Sequence, residues 1–130
     1  MLIIIIGLPA SGKTTYYHNN YSQDFKLYDD FISSFYDGLL LEDLSNGINL
    51  CITDPRLCNF ERFEEYMKVF LGIIDKSQIE LVLFENNKDS CLINADKRNK
   101  KVAKTIEFYS NSYDLNKYRD YNHKIIDVFK

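Results

Sequence analysis

The chain has no tryptophan, two histidines, two prolines, three cysteines and five glycines in 130 residues. It also lacks any apolar run near the ~18 residues of a membrane-spanning helix. The apolar opening Leu2 to Ile6 does not read as a signal peptide, because no basic residue precedes it and Gly7 ends it. Cys51, Cys58 and Cys91 are odd in number and have no C-x-x-C spacing. That excludes a zinc site and suggests reduced thiols in a reducing compartment, so a cytoplasmic protein is expected. His18 and His123 have no partner at metal-ligand spacing, and structural roles are expected for both. Repeats, linkers and low-complexity tracts are absent. With 45% hydrophobic and 27% charged residues, residues 1–130 read as a single globular domain.

An excess of positive charge is missing too, since 16 basic residues face 19 acidic ones for a net charge of -3. The balance is uneven along the chain. Residues 1–87 carry 6 basic and 13 acidic side chains, whereas residues 88–130 carry 10 and 6. Late positive charge of this kind would suit a polyanionic substrate or a γ-phosphate.

Glycine is scarce but concentrated. Two of the five fall in Gly7-Leu8-Pro9-Ala10-Ser11-Gly12-Lys13-Thr14, which fits the pattern G-x-x-x-x-G-K-[ST]. A β-branched run precedes it, and Thr14-Thr15-Tyr16-Tyr17-His18 follows with no residue that stops a helix. Strand, loop and helix are the context in which this motif binds phosphate. Gly7 and Gly12 allow the backbone to turn so that successive N–H groups converge on phosphate oxygens, and the helix start adds its dipole. The expected nucleotide contacts are Gly7, Pro9, Ala10, Ser11, Gly12, Lys13, Thr14 and Thr15. Lys13 would reach the β- and γ-phosphates, and the Thr14 hydroxyl would ligate Mg²⁺. A nucleoside triphosphate is the expected ligand.

Along the chain, a helix is expected over Lys13 to Asn20 and a short strand over Phe25 to Tyr28. A helix follows Asp29-Asp30, with Phe31, Ile32, Phe35, Leu39 and Leu40 as its apolar side, and ends at Ser45-Asn46-Gly47. Ile48 to Thr53 forms the third strand, closed by Asp54-Pro55. Asn59 caps a helix reaching about Ile74, whose Phe60, Phe63, Met67, Phe70, Leu71 and Ile74 recur at helical steps. Ile79 to Phe84 is the fourth strand, residues 89–112 are mainly helical with a break near Asn99, and Lys124 to Phe129 is the last strand candidate. Alternating strands and helices predict an α/β fold: a three-layer α/β/α P-loop arrangement with a mostly parallel sheet of about five strands and a helical lid over about 88–112.

Phosphoryl transfer asks for held phosphates, a metal, a base and cations for developing charge. The site of an open parallel sheet lies beyond the carboxyl ends of its strands, which selects Asp29, Asp30, Asp54 and Glu85. Asp29 is the first choice for general base, with Asp30 beside it toward the acceptor; the same pair could instead cap the following helix. Asp54, after an apolar strand, is expected to hold Mg²⁺ or substrate, unless it only makes an Asp-Pro turn. Glu85 suits a solvated strand end. In the basic cluster Lys88, Lys97, Arg98, Lys100, Lys101 and Lys104, Arg98 is favoured over the γ-phosphate because its planar fork grips phosphate. Arg56 and Arg62 could contact an anionic acceptor, and Arg62 could equally be an ordinary surface residue of its helix.

These motifs resemble the P-loop kinases related to phage polynucleotide 5′-kinase. The likeness lies in Ile-Ile-Gly-Leu-Pro-Ala-Ser-Gly-Lys-Thr-Thr, in Tyr28-Asp29-Asp30-Phe31, in Ile52-Thr53-Asp54, and in Cys91 upstream of Lys97-Arg98-Asn99. The resemblance implies the fold, an ATP and Mg²⁺ requirement, an aspartate base matching Asp29 and a lid arginine matching Arg98. The chain departs from the family where an acceptor-gripping arginine is replaced by Ile32 and a second lid arginine by Val102, with Lys101 as a stand-in. A kinase is expected, acting on a nucleic acid 5′ end, a nucleoside or a small metabolite, in that order. The alternatives are a nucleotide-binding regulatory ATPase without transfer and a purely structural relative.

Overall fold

The computed structural model describes residues 1–129. The chain runs β1 (Leu2–Ile6), α1 (Lys13–Asn20), β2 (Lys26–Asp29), α2 (Ile32–Tyr36), α3 (Leu39–Ser45) and β3 (Leu50–Thr53). A 3₁₀ turn (Pro55–Cys58) then leads to α4 (Phe60–Leu71), β4 (Ile79–Phe84), α5 (Lys88–Lys97), α6 (Ala103–Ser110) and β5 (Asn122–Ile126). The strands form one sheet in the order β2-β3-β1-β4-β5, and every neighbouring pair is parallel.

Every side chain of β1 and β3 is buried, and in β4 only Glu80 is not fully so. Successive side chains on a strand point to opposite faces, so burial of both sets requires cover on both sides. The fold is α/β with three layers. On α4 the apolar stripe works as its spacing indicates: Phe63, Met67 and Phe70 are buried, and Phe31 meets Phe70 with ring centroids 6.4 Å apart. Asn59 caps that helix by accepting from the Arg62 N–H at 3.1 Å. The helix ends at Leu71, earlier than Ile74, because Gly72 follows.

Four expectations need correcting. The helix after Asp29-Asp30 is two helices, since Gly38 adopts φ 85° between α2 and α3. Neither aspartate caps it: Asp29 closes β2, and the N-cap residue is Phe31, which makes no side-chain cap bond. β3 begins at Leu50, because Gly47 at φ 76° is still turning. β5 spans Asn122–Ile126 and not residues 124–129, for the chain leaves the sheet after Ile126 and crosses to the glycine loop, where the Phe129 N–H donates to the Ser11 carbonyl at 3.1 Å. The break near Asn99 is present, with φ 53° there. Among the described residues no helix is long and apolar enough to cross a membrane. All three cysteines are free and buried, and burial pushes the Cys51 and Cys58 thiols up to about 12 and Cys91 to about 11.

Candidate active site

The sheet register lines up the chemistry. Ile5 of β1 pairs with Thr53 of β3, and Thr53 pairs with Asp29 of β2. The chain leaves β1 toward β2 and β3 and later returns on the other side as β4, so the crevice beyond β1 and β3 is the switch point where ligands bind in parallel sheets.

Residues 7–14 cross that crevice as a loop held from both sides. A Cβ on Gly7 would lie 2.6 Å from Ser11 Oγ and 2.9 Å from Phe84 Cβ, so only glycine fits there. Gly12 has φ 105°, and a Cβ on it would come 2.5 Å from the Phe129 ring. Ala10 sits at φ 63°, with its carbonyl accepting from Asn94 Nδ2 at 3.1 Å. Asn94 also donates to the Phe129 carbonyl. Tyr113 Oη, donating to the Phe84 carbonyl at 2.6 Å, fastens the wall beneath.

The first intrahelical bond of α1 runs from the Tyr16 N–H to the Gly12 carbonyl at 2.9 Å. The amides of Lys13, Thr14 and Thr15 therefore have no acceptor within the helix, and they sit at its positive end. Lys13 is buried and folded back, its Nζ donating to the Gly7 carbonyl at 3.0 Å and the Leu8 carbonyl at 2.8 Å. Burial lowers its pKa below the ordinary lysine value, offset in part by Asp29 and Asp30. Ser11 Oγ is buried without a hydrogen-bond partner.

Asp29 is the residue on which the site converges. Its Oδ2 accepts from Thr14 Oγ1 at 3.5 Å, and its Oδ1 accepts from the fully buried Thr53 hydroxyl. Asp30 follows in the left-handed region at φ 48°. Desolvation, then the neighbouring Asp29 and Asp54, push its carboxyl above the usual range, and Arg56 and Lys13 offset only part of this.

Loop, strand ends and lid enclose an open cavity of about 640 Å³, within the range of small-molecule sites. The loop lines it with Pro9, Ala10, Gly12, Lys13, Thr14 and Thr15. Asp29, Asp30 and Pro55 form a second wall, and Arg98, Lys100, Val102 and Thr105 a third. Gly7 and Ser11, also expected to contact nucleotide, are buried within the loop and do not line the cavity. Of the two lysines after the turn at Asn99, Lys100 lines the cavity, whereas Lys101, the expected stand-in for a lid arginine, is exposed and does not. Val102 lines the cavity, and Ile32 packs partly against the core.

Asp54 and Arg56 are placed differently from their expected metal and substrate roles. Asp54 is fully buried and does not line the cavity. Its Oδ1 accepts from the Arg56 N–H at 2.9 Å and Nε at 3.0 Å, and its Oδ2 accepts from Nη2 at 3.0 Å. The pair fixes the 3₁₀ turn that presents Pro55, and Asp54 holds the guanidinium pKa above its usual value. Glu85 is half-buried and accepts from Asn87 Nδ2 and the Val128 N–H at 3.4 Å each, which braces the chain's return. Arg62 stands exposed on the first turn of α4. His18 is exposed, with its ring 5.2 Å from that of Tyr17, and His123 bonds the Tyr121 carbonyl at 2.8 Å.

Among the described residues no group of three His, Cys, Asp or Glu side chains is arranged to hold a metal. Magnesium in nucleotide sites takes one or two protein oxygens and fills its shell with phosphate and water. The Thr14 hydroxyl with Asp29 beside it and the three unbonded amides at the start of α1 fit a magnesium–triphosphate. The sequence did not single out Thr53, Asn94 or Thr105. Each is an isolated polar residue in an otherwise ordinary strand or helix: the register gives Thr53 its partner Asp29, the loop and the returning tail give Asn94 its carbonyls, and the lid's fold brings Thr105 to the cavity.

No family model matches the chain. It is similar to the uncharacterized protein R277 of Acanthamoeba polyphaga mimivirus, with 42% identity over 134 aligned positions that cover 99% of this chain and 97% of the viral protein.

Proposed function

The chain belongs to the family of that mimivirus protein, and we propose that it is a kinase that transfers the γ-phosphate of ATP to a hydroxyl acceptor with the help of Mg²⁺. The observation that carries this reading is one cavity gathering the glycine loop with Lys13 and Thr14, the carboxylates of Asp29 and Asp30, and Arg98. A phosphate-binding loop alone would serve any nucleotide-binding protein, whereas an ordered carboxylate beside it serves proton transfer.

The free amides at the start of α1 take phosphate oxygens, and Lys13 Nζ exchanges its two carbonyl partners for the β- and γ-phosphates. Thr14 would hold the magnesium ion, which neutralises charge on the phosphates when bound. An acceptor hydroxyl beside Asp29 attacks the γ-phosphorus. The new O–P bond forms as the bond to the β,γ-bridging oxygen breaks, ADP leaves with that electron pair, and the hydroxyl proton passes to the Asp29 carboxylate. Thr53 holds that carboxylate in line through its single proton. Arg98 meets the charge that spreads over the transferred group. Asp54 acts indirectly, by fixing Arg56 and the turn.

The test is a transfer assay with γ-labelled ATP and a panel of 5′-hydroxyl DNA, 5′-hydroxyl RNA, nucleosides and small polyols. Label in an acceptor, lost in Lys13→Ala and Asp29→Asn, supports the reading. ATP hydrolysis with no labelled acceptor points instead to a nucleotide-binding ATPase module. Absence of thermal stabilisation by millimolar Mg-ATP removes nucleotide binding itself, since binding well above Kd adds ~2–4 kcal/mol.

A further inference from the structure

The cavity wall is divided by charge, and the division bears on the acceptor. Its cations are Lys13 from the loop and Arg98 and Lys100 from the segment after α5. The wall at the ends of β2 and β3 offers Asp29, Asp30 and Pro55, and the start of α6 faces the cavity with Val102 and Thr105. Arg56, next to Pro55, has Nε and Nη2 bonded to Asp54 at 3.0 Å each. Asp54 is fully buried, so withdrawing the guanidinium toward a ligand would strand an unpaired carboxylate in the interior. Arg62 does not line the cavity. Among the described residues that line the cavity, the carboxylate wall therefore carries two acidic side chains and no cation, the nearby Arg56 being held by Asp54.

A second observation agrees. Desolvation, then Asp29 and Asp54, push the Asp30 carboxyl above its usual range, and the nearby Arg56 and Lys13 offset only part of this. An acceptor with a phosphate beside its hydroxyl would bring another anion against this pair, where screening is weaker than in bulk water. The cavity must also hold the triphosphate, which favours a compact acceptor.

Resting on the kinase reading, we propose that the acceptor is a small uncharged hydroxyl compound of nucleoside or polyol size, and not a phosphorylated compound or a nucleic acid end. The wall repels the anionic alternatives through Asp29 and Asp30.

The experiment follows label from γ-labelled ATP, using the whole protein, into adenosine, adenosine 3′-monophosphate, a 5′-hydroxyl oligonucleotide, glycerol and myo-inositol. A neutral acceptor should be labelled with kcat/KM at least about tenfold above any phosphate-bearing one. Asp30→Asn should narrow that ratio by raising the phosphate-bearing side. Equal or faster labelling of the monophosphate or the oligonucleotide overturns the inference, as does the absence of label in every neutral acceptor. A ratio unmoved by Asp30→Asn overturns it as well. Thermal stabilisation by Mg-ATP and ATP hydrolysis, measured on the same sample, keep the two readings apart. Loss of both removes the kinase reading, whereas their presence with label in a phosphate-bearing acceptor removes only this inference.

Discussion

Replacing Gly12 by alanine tests how the glycine loop is held, with no assumption about catalysis. Two costs arise. At φ 105° a side chain meets the backbone unfavourably, for about 2 kcal/mol. The new methyl would also stand 2.5 Å from Cδ2 and 2.9 Å from Cγ of Phe129, so the ring must shift, for about 1–3 kcal/mol. Together these reach about 3–5 kcal/mol, a large part of an ordinary domain's 5–15 kcal/mol. Phe129→Ala alone removes a half-buried ring that meets Phe84 edge-on at 6.2 Å, for about 1–2 kcal/mol. In that background Gly12→Ala should cost only the backbone part, about 2 kcal/mol, leaving a coupling of about 1–3 kcal/mol between the two sites. Urea denaturation of the four proteins at pH 7 measures all of these quantities. An equal cost for Gly12→Ala in both backgrounds would show that the ring does not press on the loop and refute the reasoning.

Three other outcomes follow from the site. Lys13→Ala should abolish phosphate transfer and the stabilisation by Mg-ATP with little change in the melting temperature of the free protein, because relief of a desolvated charge offsets the loss of its bonds to the Gly7 and Leu8 carbonyls. Asp30→Asn should raise the melting temperature at pH 7. The folded-state pKa lies above the ordinary aspartate value, so the ionised carboxylate is a cost that appears as pH rises through the folded value, and the pH-dependent part of the gain should vanish in melts below the ordinary aspartate pKa of about 3.9. Thr53→Val should lower kcat about ten- to a hundredfold with little change in KM for ATP, as expected on losing a hydrogen bond to a charged group. Thr53→Ser should restore most of the rate, and if Thr53→Val proves neutral the hydroxyl does not orient Asp29.

Much of the fold was legible because local pattern and punctuation agree. The isoleucine run stopped by Gly7, the helix from Lys13 and the strand from Ile79 to Phe84 are found at the residues that periodicity marked. Gly38 misled because a single glycine in an apolar helical pattern can be tolerated or can end the helix, and only its left-handed φ decides. The tail misled for another reason: Lys124 to Phe129 has strand character throughout, but Phe129 is drawn off the sheet by its bonds to the loop. For the site, Lys13, Thr14, Asp29, Asp30 and Arg98 meet in one cavity as their places at strand ends and lid suggested. Asp54 has a similar strand-end address but turns inward to Arg56, two residues on, and that pairing depends on a 3₁₀ turn that spacing alone does not reveal.

The two halves of the site rest on strands of unequal security. β1, which delivers the loop, is paired on both sides and has no exposed residue. β2, which delivers Asp29, is a four-residue edge strand paired only with β3, and α2 beyond it buries none of its five residues. Opening free energies within one protein run from near zero at such edges to the global value at the centre. Backbone amides of β1 should therefore exchange with solvent only when the whole molecule unfolds, while those of β2 and α2 exchange through local fraying. On the proposed kinase reading, Asp29 would lose its alignment for brief intervals while the loop that takes phosphate stays ordered.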